Sequence, residues 1–306
     1  MAITNIAGTI NTGSSPRRLW PGVKTWWGMS YDEQDAYYRK LYDVTTSDKA
    51  YELAVEETGF GLAPVKQEGE PVRFDSAKAL GDTKTRMIAY GLGFTITKEA
   101  IDDNLYQPLI PKYTKALARS MTATKEYKGA LKFANNDLVS DGQPLFSTNH
   151  KVLGANQNQS NLLAVQAALS RAALEDVCVM IDEAKDNRGI PIKLMPRALV
   201  VAPKNKFNAK RIVESYLDPD SSDNAINPMH DYFRDGVVSN PYFAGYNDDL
   251  WFVKTDAPDA FLHYIRKEID LSDDNEFDTE NFKVKAYERY GYGLIDWRGG
   301  FAGKVA

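Results

Sequence analysis

The chain of 306 residues is long enough for one large domain or two interlocked ones. Hydrophobic residues make up 43% and charged residues 26%, which excludes both a disordered chain and a disulfide-stapled scaffold. With 37 Lys and Arg against 42 Asp and Glu, the formal net charge of -5 argues against a polybasic binder of nucleic acid or membrane surfaces, although local basic faces stay open.

The single cysteine, Cys178, rules out an internal disulfide and any CxxC metal or redox site. The N-terminus lacks the basic start and apolar core of a signal peptide. No stretch approaches the roughly 18 uninterrupted apolar residues of a membrane span, so no membrane partner is expected.

Residues 1–24 are rich in Gly, Thr, Ser and Asn, without a hydrophobic period, and read as an extended arm. Trp20, Trp26 and Trp27 sit in or beside it. Such large side chains imply that the arm rests on a surface, of its own domain or of a neighbouring subunit. Ser30 to Asp43 has the look of a short helix, with Ser30 and Glu33 in capping-box spacing.

Period-two alternation from Lys84 to Thr97 predicts one strand with Ile88, Tyr90, Leu92, Phe94 and Ile96 on one face. Tyr51 to Thr58 and Pro71 to Phe74 are its expected partners. A ribbon of two or three strands with no helix is marginal in water and needs packing. It is either an ordinary sheet within the domain or a loop that projects toward a partner.

The period then becomes helical. Ile110, Tyr113, Leu117, Met121, Thr124, Tyr127, Leu131 and Ala134 recur at spacings of three and four on a helix about 36 Å long. Lys112, Lys115, Arg119, Lys125, Lys128 and Lys132 are expected on the other face, opposed only by Glu126. That face is either simply solvated or turned toward a polyanion.

A second helix is expected from Asn161 to Arg188, stopped by Gly189 and Pro191. A short buried strand follows at Ala198 to Ala202, then a helix at Lys204 to Ser215 and a strand at Trp251-Phe252-Val253, so an α/β lobe is expected here. Phe261 to Leu271 and Glu280 to Tyr292 read as two long strands flanking an acidic turn, since Glu268 to Glu280 contributes seven acids and no base. Gly291, Gly293, Gly299 and Gly300 point to close backbone approaches. The whole is an α+β fold.

No catalytic constellation emerges. His150, His230 and His263 are far apart and lack a second ligand at metal spacing. Ser147 and His150 are neighbours in a loop, without a triad or a GxSxG elbow. Gly59-Phe-Gly61 and Gly91-Leu-Gly93 lack the third glycine of a dinucleotide loop. The aspartates from Asp218 to Asp223 miss the glycine and glutamate of a calcium loop. No cofactor or metal is expected, and no enzymatic activity.

The order of arm, β-excursion, long helix, α/β lobe and terminal strands resembles a tailed-bacteriophage major capsid protein, nearest to the Mu-like major head subunit. The strings that carry the resemblance are Thr97-Lys98-Glu99-Ala100-Ile101 with Asp103-Asn104, Leu145-Phe146-Ser147-Thr148-Asn149-His150, Lys185-Asp186 with Gly189-Ile190-Pro191, Leu199-Val200-Val201 with Pro203, Trp251, and Tyr290-Gly291-Tyr292-Gly293. They span roughly residues 50–300.

The resemblance implies an N-terminal arm over 1–50, an extended β-loop over 51–98, and a peripheral domain with its spine helix over 99–145. It implies an axial domain over 146–254, and peripheral-domain strands with a C-terminal tail over 255–306. It implies a head protein that forms hexamers and pentamers of an icosahedral shell around double-stranded DNA, assembled in the host bacterial cytoplasm. A separate scaffolding protein, a portal and a decoration protein are the implied partners. Trp20, Trp26, Trp27, Lys66, Glu68, Arg86, Ile88 and Tyr90 are the expected subunit-interface residues. Lys112, Lys115, Arg119, Lys125 and Lys132 are expected to face packaged DNA without base specificity. The alternatives are an encapsulin-like nanocompartment shell and, remotely, a soluble hydrolase using His150.

Overall fold

The structure, a computed structural model, describes residues 9–10, 36–102, 109–151, 158–217, 226–275 and 280–305. Trp20, Trp26, Trp27 and the Ser30 capping box lie outside the described residues. The elements in chain order are β1 (Thr9–Ile10), α1 (Tyr38–Leu41), β2 (Asp43–Thr46), β3 (Tyr51–Glu57), β4 (Ala79–Arg86), β5 (Ile88–Ile96), α2 (Lys98–Asp102) and α3 (Leu109–Ala134). There follow α4 (Arg171–Asp182), β6 (Pro196–Val201), α5 (Lys206–Glu214), β7 (Val237–Ser239), β8 (Trp251–Thr255), β9 (Phe261–Asn275), β10 (Phe282–Leu294) and β11 (Gly300–Lys304).

Three sheets result. The largest has the order β1-β5-β10-β9-β2, with β9 and β10 as a long antiparallel hairpin at its centre. A four-stranded sheet runs β11-β8-β6-β7, and β3 and β4 form a separate two-stranded ribbon. The alternation of β10 places Phe282, Val284 and Ala286 inward and Lys283, Lys285 and Tyr287 outward, as a sheet packed on one face requires. Helix α3 lies against this inner face: Leu117, Ala118 and Met121 form one cluster with Ile96, Phe282, Val284 and Ala286.

The main core joins the two larger sheets. Phe133 of α3 stacks on Phe252 of β8 with ring centroids 5.1 Å apart and meets Phe261 of β9 edge-on at the same separation. Buried Trp251 satisfies its indole N–H by donating to the Ala167 carbonyl at 2.9 Å.

Three expectations need correction. The strand foreseen from Lys84 to Thr97 is broken at Met87 into β4 and β5, which enter different sheets. The partner of β3 is β4, whereas Pro71 to Phe74 forms no strand, and its Val72 and Phe74 are exposed. The helix foreseen from Asn161 begins only at Arg171, after the Ser170 hydroxyl caps it by accepting from the Ala173 N–H at 3.2 Å. Residues 161–170 instead run beside β11: Leu163 N–H donates to Ala302 O and Ala167 N–H to Gly303 O, each at 3.1 Å. Val165 in this segment is exposed.

The tight backbone approaches expected at the terminal glycines are present. A Cβ on Gly291 would sit 2.6 Å from the Arg86 carbonyl oxygen, so β10 passes directly against the end of the ribbon.

Candidate functional site

The ribbon β3–β4 and the loop it carries expose a run of large apolar side chains, and the outer surface of α3 exposes basic ones. Tyr51, Leu53 and Val55 alternate on the exposed face of β3. Directly opposite them on β4, and therefore on the same face, stand Arg86, Lys84 and Asp82. The Lys84 ammonium lies over the Tyr51 ring, 4.0 Å from its centroid. Beyond the ribbon, the loop exposes Phe60, Leu62, Val65, Val72 and Phe74, with Val65 at 93% and Phe74 at 91%. Lys66 and Glu68 are exposed in the same loop. A monomer gains nothing from holding five large apolar side chains in water; a contiguous patch of this kind marks a contact surface.

Near the neck of the loop, polar groups help to tie the ribbon to its own chain. The Glu56 carboxylate accepts from Asn187 Nδ2 at 2.7 Å, lies 3.4 Å from Arg298 Nη1, and bonds the Ser140 hydroxyl. Arg188 donates to the carbonyls of Gly59 at 3.2 Å and Ser76 at 2.7 Å, closing the loop's neck. The interface residues read from the sequence thus divide: Arg86 and Ile88 are exposed, while Tyr90 is half-buried, its ring stacked 4.5 Å from that of Tyr290.

Helix α3 departs from its expected faces. The buried stripe runs through Thr114, Leu117, Ala118, Met121, Thr122, Lys125, Glu126, Ala130 and Phe133, whereas Tyr113, Thr124, Tyr127 and Leu131 are only half-buried. Lys125 is a heptad beyond Ala118 and so falls inside, where its ammonium pairs with Glu288 of β10 at 2.6 Å. It does not face solvent and cannot meet DNA. Glu126 accepts from the Tyr38 N–H at 2.9 Å, and burial pushes its carboxyl up to about 7.

The remaining basic residues do not share one face. At about 100° per residue, Lys112, Lys115 and Arg119 fall within about 60° of one another, while Lys128 and Lys132 lie on nearly the opposite side. Lys112, Lys115 and Arg119 are exposed along an open face that includes Ala116 and Ala123. Lys132, expected among them, pairs with Asp137 at 2.6 Å and lines a cleft of 590 Å³ between α3 and the ribbon. That cleft brings together Lys84, Arg86, Ile88, Tyr90, Lys128 and Lys132, combining residues that the sequence had assigned to two separate surfaces.

His150 is held in the core by its neighbours. Fully buried His150 binds Asp141 Oδ2 through Nδ1 at 2.7 Å and Asn161 Oδ1 through Nε2 at 3.1 Å, and stacks 4.4 Å from the Trp297 ring. Both ring nitrogens are therefore engaged, and the Ser147 hydroxyl instead accepts from the Asn149 N–H. Burial pushes the Cys178 thiol up to about 12, far from thiolate chemistry. Among the described residues, no group of three or more His, Cys, Asp or Glu side chains is placed to hold a metal ion. No described helix is long and apolar enough to cross a membrane.

Several solved structures share this fold. A virus-like particle from Pyrococcus furiosus superposes with a TM-score of 0.57 at 8% identity, over 92% of this chain and 97% of that one. The Mycobacterium phage Patience structure gives 0.55 at 10% identity, over 98% and 93%. The capsid of an empty GTA particle gives 0.54 at 11% identity, over 87% and 88%. No curated protein sequence matches the chain. These likenesses define the fold as the α+β fold of the phage capsid proteins.

The sequence signature described as Phage capsid protein matches residues 81–303, and the chain belongs to that family. It is a capsid shell protein, a structural component of the bacteriophage virion.

Proposed function

We propose that the protein is the major head subunit of a tailed phage, assembling in the host cytoplasm into hexamers and pentamers of an icosahedral shell around double-stranded DNA. The observation that carries this reading is the ribbon with its loop, whose Tyr51, Leu53, Val55, Phe60, Leu62, Val65, Val72 and Phe74 stand in solvent in the single chain. Covering such surface stabilises association by about 25 cal/mol per Å². A head-to-tail contact repeated around a closed rotation gives rings.

In this reading residues 51–98 reach over a neighbouring subunit, 99–145 and 255–306 form a peripheral domain, and 146–254 surround the capsomer centre, with 1–50 as an arm. The interface uses Lys66, Glu68, Arg86 and Ile88, with Trp20, Trp26 and Trp27 of the arm. Lys112, Lys115 and Arg119 meet DNA phosphates without reading sequence. A separate scaffolding protein, a portal and a decoration protein complete the particle, and the subunit itself catalyses nothing. The local strings from Thr97 to Asn104 and from Leu145 to His150 support placement in the Mu-like group. Membership of the phage capsid family favours a genome container over a nanocompartment for enzymes.

The test is Leu53→Asp with Val55→Asp. Both side chains are exposed, so the subunit should fold normally while shell formation is lost. Shells formed in wild-type yield by the double variant would contradict the ribbon's role.

A further inference from the structure

Two observations, made at opposite ends of β10, fit each other. At one end is the basic cleft between α3 and the ribbon, lined by Lys84, Arg86, Lys128 and Lys132 against the single acid Asp137. Asp137 is taken up by Lys132, and Lys84 rests on Tyr51. Arg86 and Lys128 are exposed and have no acidic partner among the described residues. At the other end, the β9–β10 hairpin carries Glu268, Asp270, Asp273, Asp274 and Glu280. Asp270 pairs with Lys267 and Glu280 with Lys98, whereas Asp273 and Asp274 are exposed and have no basic partner among the described residues.

The two ends cannot meet within one chain. In the hairpin register Asp274 stands opposite Lys283 of β10, with no ion pair formed between them, and the cleft begins at Tyr290 of the same strand. Seven residues of strand separate them by about 24 Å, and a β-strand does not bend back on itself. A contact between them must therefore join two copies, head to tail, which is the symmetry that closes rings.

Resting on the shell reading above, we propose that the cleft formed by Arg86 and Lys128 receives the acidic end of the β9–β10 hairpin, Asp273 and Asp274, from a second copy of this chain. Duplex DNA is the weaker occupant for this cleft. Its cations point to the opposite side of α3 from Lys112, Lys115 and Arg119, so the two patches cannot both line one interior surface. The cleft is also flanked by the Tyr90 and Tyr290 rings and holds the Asp137 carboxylate, which repels phosphate. Charge pairs at such a contact set register and speed encounter more than they add strength, and they weaken with salt.

The test is a charge exchange in the full chain. Four proteins are compared under conditions in which the wild type assembles: wild type, Arg86→Glu with Lys128→Glu, Asp273→Lys with Asp274→Lys, and all four changes together. Light scattering follows the assembly rate and sedimentation the shell yield. Each double reversal should slow assembly about tenfold or more at low salt, with the deficit shrinking as salt screens the pair. The fourfold exchange should recover most of the loss.

Unfolding midpoints and circular dichroism report the fold. Should a reversal misfold, the neutral pairs Arg86→Gln with Lys128→Gln, and Asp273→Asn with Asp274→Asn, carry the test, with a smaller slowing in the same direction. Doubles that assemble like wild type, or a fourfold variant no better than the worse double, would overturn the proposal while leaving the shell reading standing. So would neutral cleft variants that assemble normally but release packaged DNA at lower salt. A wild type that never forms particles would instead remove the shell reading itself.

Discussion

Lys125 of α3 and Glu288 of β10 form an ion pair, 2.6 Å from Nζ to Oε2, with both side chains buried. It clamps the long helix to the central hairpin at the position where alternation along β10 calls for an apolar residue. Removing one partner leaves a charge in a low-dielectric setting. Lys125→Met should therefore lower stability by about 3–5 kcal/mol, whereas Lys125→Met with Glu288→Leu should be close to neutral or better. Denaturant unfolding of the unassembled subunit measures both.

The exposed basic patch should behave in the opposite way. Glutamine at Lys112, Lys115 and Arg119 should leave the subunit's stability within about 0.5 kcal/mol, since these side chains are exposed. Empty shells should still form, while retention of packaged DNA becomes more sensitive to salt. Comparing DNA release from filled particles across a salt series checks this, with Lys125→Gln as the contrast that loses fold stability.

Two buried groups set opposing pH dependences. Burial holds the His263 imidazole down to about 3, among the rings of Tyr38, Tyr290 and Tyr292 and near Lys125. The unfolded chain takes up this proton near pH 6.5, so stability falls as pH drops from about 6.5 toward 3. Glu126, raised to about 7 from 4.5, keeps its proton longer when folded, so its contribution is lost as pH rises from about 4.5 to 7. His263→Phe should flatten the acid limb of the stability curve and Glu126→Gln the neutral limb. Calorimetric midpoints between pH 4 and 8 would show the two effects separately.

The ribbon's anchorage depends on one glycine. A Cβ at Gly81 would lie 1.9 Å from the Ser140 carbonyl oxygen, a backbone atom that cannot swing aside. Gly81→Ala should push β4 away from the 139–141 turn and break the Glu56–Ser140 bond beside it. Faster amide exchange and easier proteolysis confined to residues 51–86 are the expected result. Assembly should suffer more than the melting temperature of the body.

How much of this was legible in the sequence depended on where each residue's partners lie. The β9–β10 hairpin was readable because its inward and outward residues alternate without interruption on either side of an acidic turn. The long helix was readable, but not its faces, because the charge of Lys125 marks an outer position to any rule that ignores Glu288, more than a hundred and sixty residues away. Residues 161–170 carry a helical spacing of apolar residues yet form no helix, since backbone groups among them bond to β11 at the far end of the chain. Met87 was invisible as a boundary because two strands in different sheets happen to continue one alternation. The cleft could not be foreseen, as Arg86 and Lys128 meet only after the ribbon has folded back toward α3.

The most direct measurement of the account's central claim is negative-stain imaging of the purified protein, alone and coexpressed with the proposed scaffolding protein. Closed particles tens of nanometres across, absent for the Leu53→Asp, Val55→Asp variant, are the expected outcome. A chain that stays monomeric under every assembly condition, with the side chains of its β3–β4 ribbon and loop still in solvent, would contradict it.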